Sequence, residues 1–154
     1  MTSFDKYYNE AFKEMNKPKY HFYTYGSLMR GLHNHHVLQE HNAQYIKTLK
    51  LKGFVLYDLG NFPGALPSSN NEDVLIAEKY FINYDNIEDL DFLEDVENYS
   101  YKRKIIKDND GDLGFIYICH PYLAIDSPII KDGNWKKYFL EQEKLGNKKR
   151  SNKI

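Results

Sequence analysis

Tyr99-Ser100-Tyr101-Lys102-Arg103-Lys104-Ile105-Ile106 and Leu113-Gly114-Phe115-Ile116-Tyr117-Ile118-Cys119, joined across Asp108-Asn109-Asp110-Gly111, decide the fold class. Both runs are rich in β-branched and aromatic residues, and the segment between them is hairpin-turn chemistry. On a period of two, Tyr99, Tyr101, Arg103 and Ile105 share one face of the first strand. Leu113, Phe115, Tyr117 and Cys119 share one face of the second.

Working outward, Asp85 or Asn86 is placed to N-cap a helix running to about Glu97. Before it, Val74–Ile82 reads as a strand and Ser68–Asn71 as a polar loop tip. Tyr45-Ile46, Leu49 and Leu51 belong to β structure that continues through Phe54–Tyr57 after Gly53. Asp58 to Gly64 reads as a turn-rich excursion. Strand one spans about Tyr20 to Tyr25, and the loop Gly26–His33 leads to a short helix near Asn34–Glu40. Downstream, Gly133-Asn134-Trp135 opens a last amphipathic helix to about Leu145. Antiparallel connections with few helices predict an α+β fold, a single domain built on a small, mostly antiparallel closed β-barrel with flanking helices. Phe4, Tyr7, Tyr8, Ala11, Phe12 and Met15 recur at helical spacing before Lys17-Pro18, so residues 1–18 are expected to form an N-terminal helical extension. The domain is expected over 19–145, with a disordered tail over 146–154.

The 154 residues suffice for one domain with a real core. Lys and Arg number 21 against 22 Asp and Glu, so there is no electrostatic case for nucleic acid or an anionic membrane. The single cysteine, Cys119, excludes an internal disulfide and a thiolate metal cluster. No run approaches the roughly 18 apolar residues of a membrane span, and the first residues lack the apolar run of a secretion signal. A cytoplasmic protein is expected, monomeric, with neither nucleic-acid nor membrane partners.

Chemistry concentrates at two places. Tyr20-His21-Phe22-Tyr23-Thr24 breaks at Tyr25-Gly26-Ser27-Leu28, and a strand broken at Gly-Ser leaves backbone N–H groups able to hold an anion. Glu94 projects between Ile87 and Leu90 on a 3.6-residue period, inside the apolar sector of its helix, whereas Glu88, Asp89 and Asp95 project elsewhere. A carboxylate among apolar side chains has its pKa raised from about 4.3 toward values useful for proton transfer. The simpler alternative is a rim glutamate paired with Arg103 or a lysine. Tyr101 and Tyr117 could bond Glu94 or a substrate, or serve only as sheet packing. His33, His35, His36 and His41 are dense but lack a supporting acid at useful spacing, so no metal is expected. Ser27 has no base in the spacing to make it a nucleophile, and Cys119 reads as a buried small hydrophobe. The absence of a phosphate-binding glycine fingerprint argues against a nucleotide enzyme.

In order along the chain stand Tyr25-Gly26-Ser27-Leu28, Arg30-Gly31, Asn34-His35, Leu56-Tyr57-Asp58, Pro63-Gly64, Leu90-Asp91-Phe92-Leu93-Glu94, Tyr101-Lys102-Arg103, Ile116-Tyr117-Ile118 and Gly133-Asn134-Trp135. Over about residues 20–140 this order resembles the gamma-glutamylcyclotransferase-like family, its gamma-glutamylamine cyclotransferase-like branch included. Two positions depart from it: Ala77-Glu78 stands where Gly-Glu is common, and Asp95 follows Glu94 where Gly is common. The resemblance implies a cofactor-independent enzyme that splits a small γ-glutamyl compound into 5-oxoproline and a free amine or amino acid. It implies Glu94 as general acid/base, Gly26, Ser27 and Leu28 as backbone cradle, and Tyr25, Tyr101 and Tyr117 as pocket walls. The alternative is a noncatalytic module that uses the same pocket for an acidic metabolite or a protein partner.

Overall fold

The computed structural model describes residues 2, 3, 5, 6, 9, 19–94 and 100–150. Eight strands, β1 (Lys19–Thr24), β2 (Gln44–Lys52), β3 (Phe54–Asp58), β4 (Pro63–Pro67), β5 (Val74–Asn83), β6 (Tyr101–Lys107), β7 (Leu113–Cys119) and β8 (Ile129–Ile130), form two sheets. Among the described residues three helices accompany them: α1 (His35–Glu40), α2 (Ile87–Leu93) and α3 (Trp135–Lys144). The larger sheet has the order β2-β5-β1-β7-β6, and the smaller β4-β3-β8. Every pair is antiparallel except β1 with β7, which run parallel through His21↔Gly114, Phe22↔Phe115 and Tyr23↔Ile116.

Alternation along the central strands builds two cores, one on each side of the larger sheet. Phe22, Tyr80, Ile82, Phe115, Tyr117 and Cys119 pack with Leu38 of α1 and with Ile87 and Leu90 of α2. On the opposite face, Tyr23, Ala77, Ile116 and Ile118 pack with Leu56 and Ala65 of the smaller sheet and with Trp135 and Phe139 of α3. Three points of close backbone approach set this stacking. A Cβ on Gly64 would lie 2.6 Å from Cys119 Sγ, and one on Gly114 would lie 2.5 Å from the Tyr23 ring. A Cβ on Gly133, which sits at φ +65°, would lie 1.9 Å from the Val74 carbonyl oxygen.

The α+β class holds, but the expected closed barrel does not form. β2 and β6 are the two edges of the larger sheet and do not pair with each other, and β4-β3-β8 remains a separate sheet stacked against it. Both open edges are basic, with Lys47, Lys50 and Lys52 on β2 and Lys102, Arg103, Lys104 and Lys107 on β6, and lysine-rich edges resist strand addition. Pro63-Gly64 also differs from expectation, since it opens β4 rather than closing a turn, with Pro63 opposite Asp58. Both prolines of β4 are tolerated because β4 is itself an edge.

The hairpin of β6 and β7 forms with Tyr101 opposite Cys119, and the last helix starts at Trp135 as the sequence indicates. A 3-10 turn over Tyr84–Asn86 leads into α2. Asn86 occupies the N-cap position but makes no side-chain cap; its amide donates to the His41 carbonyl oxygen at 3.0 Å instead. The expected N-terminal helix lies largely outside the described residues, as do the predicted extension of α2 past Asp95, Tyr99, and residues 151–154.

Candidate active site

A recess of about 280 Å3, counting space open to solvent, lies at the C-terminal end of β1. Phe22, Tyr23, Thr24, Tyr25 and Gly26 line it from β1 and the residues that follow, Pro63 from β4, Glu94 from the end of α2 and Tyr117 from β7. The only ionisable carboxylate among these residues is Glu94.

Glu94 is the C-cap of α2, with φ −82° and ψ 3°, and its N–H donates to the Leu90 carbonyl oxygen at 2.9 Å. Ending the helix there turns the side chain inward, where the residue is 9 % exposed. Burial, and secondarily the charge of Asp91, push its carboxyl up to about 8. Neither hydrogen bond nor ion pair holds that carboxylate among the described residues. The rim pairing with Arg103 goes to Asp91 instead: Arg103 Nε lies 3.0 Å from Asp91 Oδ1, and the Tyr117 hydroxyl donates to the same oxygen at 2.5 Å. The arginine is thereby spent on a neighbour, and Glu94 keeps an unneutralised, desolvated carboxyl.

The loop after β1 is held from behind. Asn34 Nδ2 donates to Ser27 Oγ at 2.8 Å, the Asn34 N–H to the Ser27 carbonyl oxygen at 3.1 Å, and the Met29 N–H to that of Gly26 at 3.0 Å. Beneath it, the buried Glu78 of β5 accepts the Arg30 N–H at 2.8 Å, the Tyr80 hydroxyl at 2.8 Å and Lys136 Nζ at 3.1 Å. Burial would raise the Glu78 pKa, but these donors outweigh it and hold the carboxylate ionised. Glu78 therefore fastens the loop, while the N–H groups of Gly26, Ser27 and Leu28 have no acceptor among the described residues.

Of the residues expected at the site, Tyr25, Gly26, Glu94 and Tyr117 line the recess, whereas Ser27, Leu28 and Tyr101 do not. Leu28 is fully buried in the core against α2. The Tyr101 hydroxyl donates to the Pro63 carbonyl oxygen at 2.5 Å, which places Tyr101 behind the wall. Tyr25 bridges the two sheets: its hydroxyl donates to the Tyr117 carbonyl oxygen at 2.7 Å and accepts the Ala65 N–H at 3.1 Å. Burial, more than nearby negative charge, keeps the Tyr25, Tyr101 and Tyr117 hydroxyls protonated far into alkaline pH. Protonated, they are hydrogen-bond donors and not bases. Burial likewise pushes the Cys119 thiol up to about 11, which removes it as a nucleophile near neutrality.

The histidines are dispersed in their bonding: His35 Nδ1 meets the Leu28 carbonyl oxygen at 2.9 Å, and His41 Nε2 lies 3.4 Å from Asp89. Among the described residues no group of three or more His, Cys, Asp or Glu side chains could hold a metal ion. Sequence reasoning missed Pro63 as a wall, Glu78 as the loop's anchor, and the Asp91–Arg103 pair. Only the last had a legible signal, an acid one helical turn from Glu94.

A family model for gamma-glutamyl cyclotransferase, AIG2-like proteins matches residues 22–137, which contain the whole recess. The chain belongs to this family. The gamma-glutamylcyclotransferase family protein YtfP of Escherichia coli K12 is 27% identical over 113 residues, 73% of this chain and 93% of that protein. The solution structure of E. coli YtfP superposes with a TM-score of 0.59, covering 75% of this chain and 95% of YtfP. The fold is also shared with c4763, a uropathogenic E. coli-specific protein, at a TM-score of 0.68 and 18% identity over 79% of this chain and 95% of that one. Kluyveromyces lactis allophanate hydrolase carries it too, at 0.68 and 20% identity over 80% of this chain but 21% of the hydrolase. The family membership is that of an enzyme family, and it supports a small γ-glutamyl compound as the substrate class. None of the helices among the described residues is long and apolar enough to cross a membrane.

Proposed function

We propose that this protein is a cofactor-independent γ-glutamylcyclotransferase in which Glu94 is the general acid/base. The observation that carries the reading is the placement of Glu94: buried, without a partner among the described residues, raised to about 8, and on the same recess as Gly26. The reaction is intramolecular. The substrate's α-amine attacks its own γ-carbonyl carbon, a new C–N bond closes a five-membered ring, and the bond to the leaving nitrogen breaks. Such a step chiefly needs the substrate folded into a near-attack shape and protons moved from the attacking to the leaving nitrogen.

The α-amine arrives as an ammonium. Glu94 takes one proton from it as carboxylate and, once protonated, gives it to the departing nitrogen as the tetrahedral intermediate collapses. The second proton shed by the new ring nitrogen ends on the released amine, which leaves as an ammonium. A carboxyl near 8 is suited to both halves of that exchange, and the bound ammonium lowers it toward neutrality. The N–H of Gly26, the one residue of the Gly26–Leu28 turn that lines the recess, holds the α-carboxylate or the developing oxyanion, while Ser27 and Leu28 fix the turn behind it. Tyr25 and Tyr117 shape the wall and stay neutral, and Tyr101 fixes Pro63 from behind.

The test is direct. The protein is incubated with a panel of γ-glutamyl amino acids and γ-glutamyl amines, and 5-oxoproline is measured. Turnover of at least one member is expected, falling by roughly a hundredfold or more in Glu94→Gln while substrate binding changes little. Binding without release of 5-oxoproline across the panel would instead support a noncatalytic module.

A further inference from the structure

Beyond the recess, the chain carries a second built site, and its occupant is the chain itself. Lys148 lies after α3, yet its side chain is only 9 % exposed. Its ammonium sits 3.0 Å from Asp58 Oδ1 and also donates to the Gly60 carbonyl oxygen. The rings of Trp135 and Tyr138 stand 5.7 and 5.8 Å from the nitrogen, inside the range of cation–π attraction. Asp58 is 10 % exposed and held on its far side, where Oδ2 accepts the Tyr138 hydroxyl at 2.5 Å and Oδ1 also accepts the Gly60 N–H at 2.8 Å. The Tyr138 hydroxyl is pushed up to about 12, by burial and then by this bond, so it remains the donor.

We propose that Asp58, the Gly60 carbonyl, Trp135 and Tyr138 form an alkylammonium site, filled in cis by Lys148, whose occupancy orders the turn between β3 and β4. That turn leads into Pro63, the recess wall that faces Gly26, where Pro63 Cγ would lie 3.2 Å from a Cβ on Gly26. Two further contacts brace the turn: the Leu59 N–H bonds the Phe62 carbonyl oxygen at 3.1 Å, and the Phe62 ring lies 6.4 Å from that of Tyr101. Asp58 is anchored by its own N–H on the Pro128 carbonyl oxygen at 2.9 Å, and Lys148 ties Asp58 to the Gly60 carbonyl across the start of the turn. A desolvated carboxylate flanked by two aromatic faces selects a primary ammonium on a slim alkyl stem over a guanidinium, whose planar width demands a different fork of acceptors. Lys148 is a positioning residue: it acts on the recess through the turn and does not reach the substrate.

Trp135 is the only tryptophan in the chain, and it reports on this site. In Lys148→Ala, Trp135 emission should shift from that of the wild type, and n-butylammonium should restore it at about 1–10 mM. Neither the wild type nor Lys148→Ala/Asp58→Asn should respond. Amide hydrogen exchange over 59–62 should rise in Lys148→Ala and fall again with n-butylammonium. Lys148→Met, which keeps the stem and removes the charge, should show the raised exchange of Lys148→Ala without rescue by the amine, because its own stem fills the site, and so guards against a simple packing defect. Where the wild type turns over a γ-glutamyl compound, the variant should lose several-fold in kcat/KM, mainly through KM, and the amine should recover it. Absence of any amine response in Lys148→Ala, or an equal response in the double variant, overturns the site. Unchanged exchange at 59–62 overturns its ordering role. The fluorescence and exchange arms need no catalysis, so a protein inactive on every γ-glutamyl compound still decides this proposal.

Discussion

Glu94 has two measurable consequences that a surface carboxylate would lack. If it is the base, the rate should rise as pH climbs toward about 8 and then level, because only the carboxylate accepts the proton. The same shift has a cost in stability. The folded protein binds the Glu94 proton more tightly than the unfolded chain, whose glutamate titrates near 4.5. Stability from this group is therefore fully present below 4.5 and is lost as pH rises through about 8. Glu94→Gln should melt with the wild type at pH 4 and several degrees above it at pH 9, as followed by circular dichroism. Identical melting at both pH values would mean that Glu94 titrates as an exposed acid. Ser27 and Gly26 separate hydroxyl from backbone chemistry. The Ser27 hydroxyl is already engaged by Asn34, so Ser27→Ala should keep most of the turnover and lose about 1 kcal/mol of stability. Gly26→Val should abolish turnover, because even its Cβ stands 3.2 Å from Pro63 Cγ. A Ser27→Ala protein as inactive as Glu94→Gln would point to a serine nucleophile.

At the scale of elements, the entry to α3 is the least forgiving turn. Asn134 N-caps the helix by accepting the Lys137 N–H at 3.1 Å, and Gly133 brings the chain against β5 with its own N–H bonded to the Ile130 carbonyl oxygen at 3.0 Å. Asn134→Ala should cost about 1 kcal/mol in urea unfolding, the usual value of a cap. Gly133→Ala meets both a positive φ and a carbonyl oxygen 1.9 Å from the added carbon, so the backbone must move. A loss of about 3 kcal/mol or more is expected. Equal effects of the two substitutions would mean that α3 relaxes away from β5 without penalty. α2 shows how a short element still serves a site: seven residues bury Ile87 and Leu90 and end where Glu94 must turn inward.

For the molecule as a whole, three strands distant in sequence are tied by one buried charge cluster. Lys79 of β5 lies 2.7 Å from Asp108 and 2.6 Å from Asp112 in the β6–β7 turn, and the Tyr23 hydroxyl of β1 donates to Asp108 at 2.7 Å. Burial opposes ionisation of Asp108, but Lys79, Tyr23 and backbone donors prevail and hold it down to about 2. That stability is present above the unfolded value of 3.8 and is lost as pH falls through about 2. Asp108→Asn should cost about 3 kcal/mol at pH 7 and flatten the acid limb of the stability curve, because Lys79 keeps only the half-exposed Asp112. An unchanged acid limb would show that the cluster is not what fails in acid. Nothing in the sequence marks Lys79 as buried, since Asp108 and Asp112 lie about thirty residues away along the chain.

Local chemistry settled much else before any fold was known. Alternation and turn chemistry gave the β6–β7 hairpin and the Gly-Ser break gave the end of β1, because each depends on residues within one or two turns of chain. The projection of Glu94, by contrast, left a rim pairing open, and its burial followed from the helix ending at Leu93. The order of short motifs likewise pointed to the family that the family model then matched. Tertiary structure alone decided the rest. Whether the sheet closes depends on which edges meet, and β2 and β6, both lysine-rich, do not pair. Which acid Arg103 pairs with depends on strand register, and Arg103 opposite Tyr117 gives it Asp91 and leaves Glu94 alone. Pro63 becomes a wall, and Lys148 a plug, only because stacking of the second sheet and α3 brings Asp58 to both. Side-chain periodicity encodes which way a residue faces; only packing decides what it meets there.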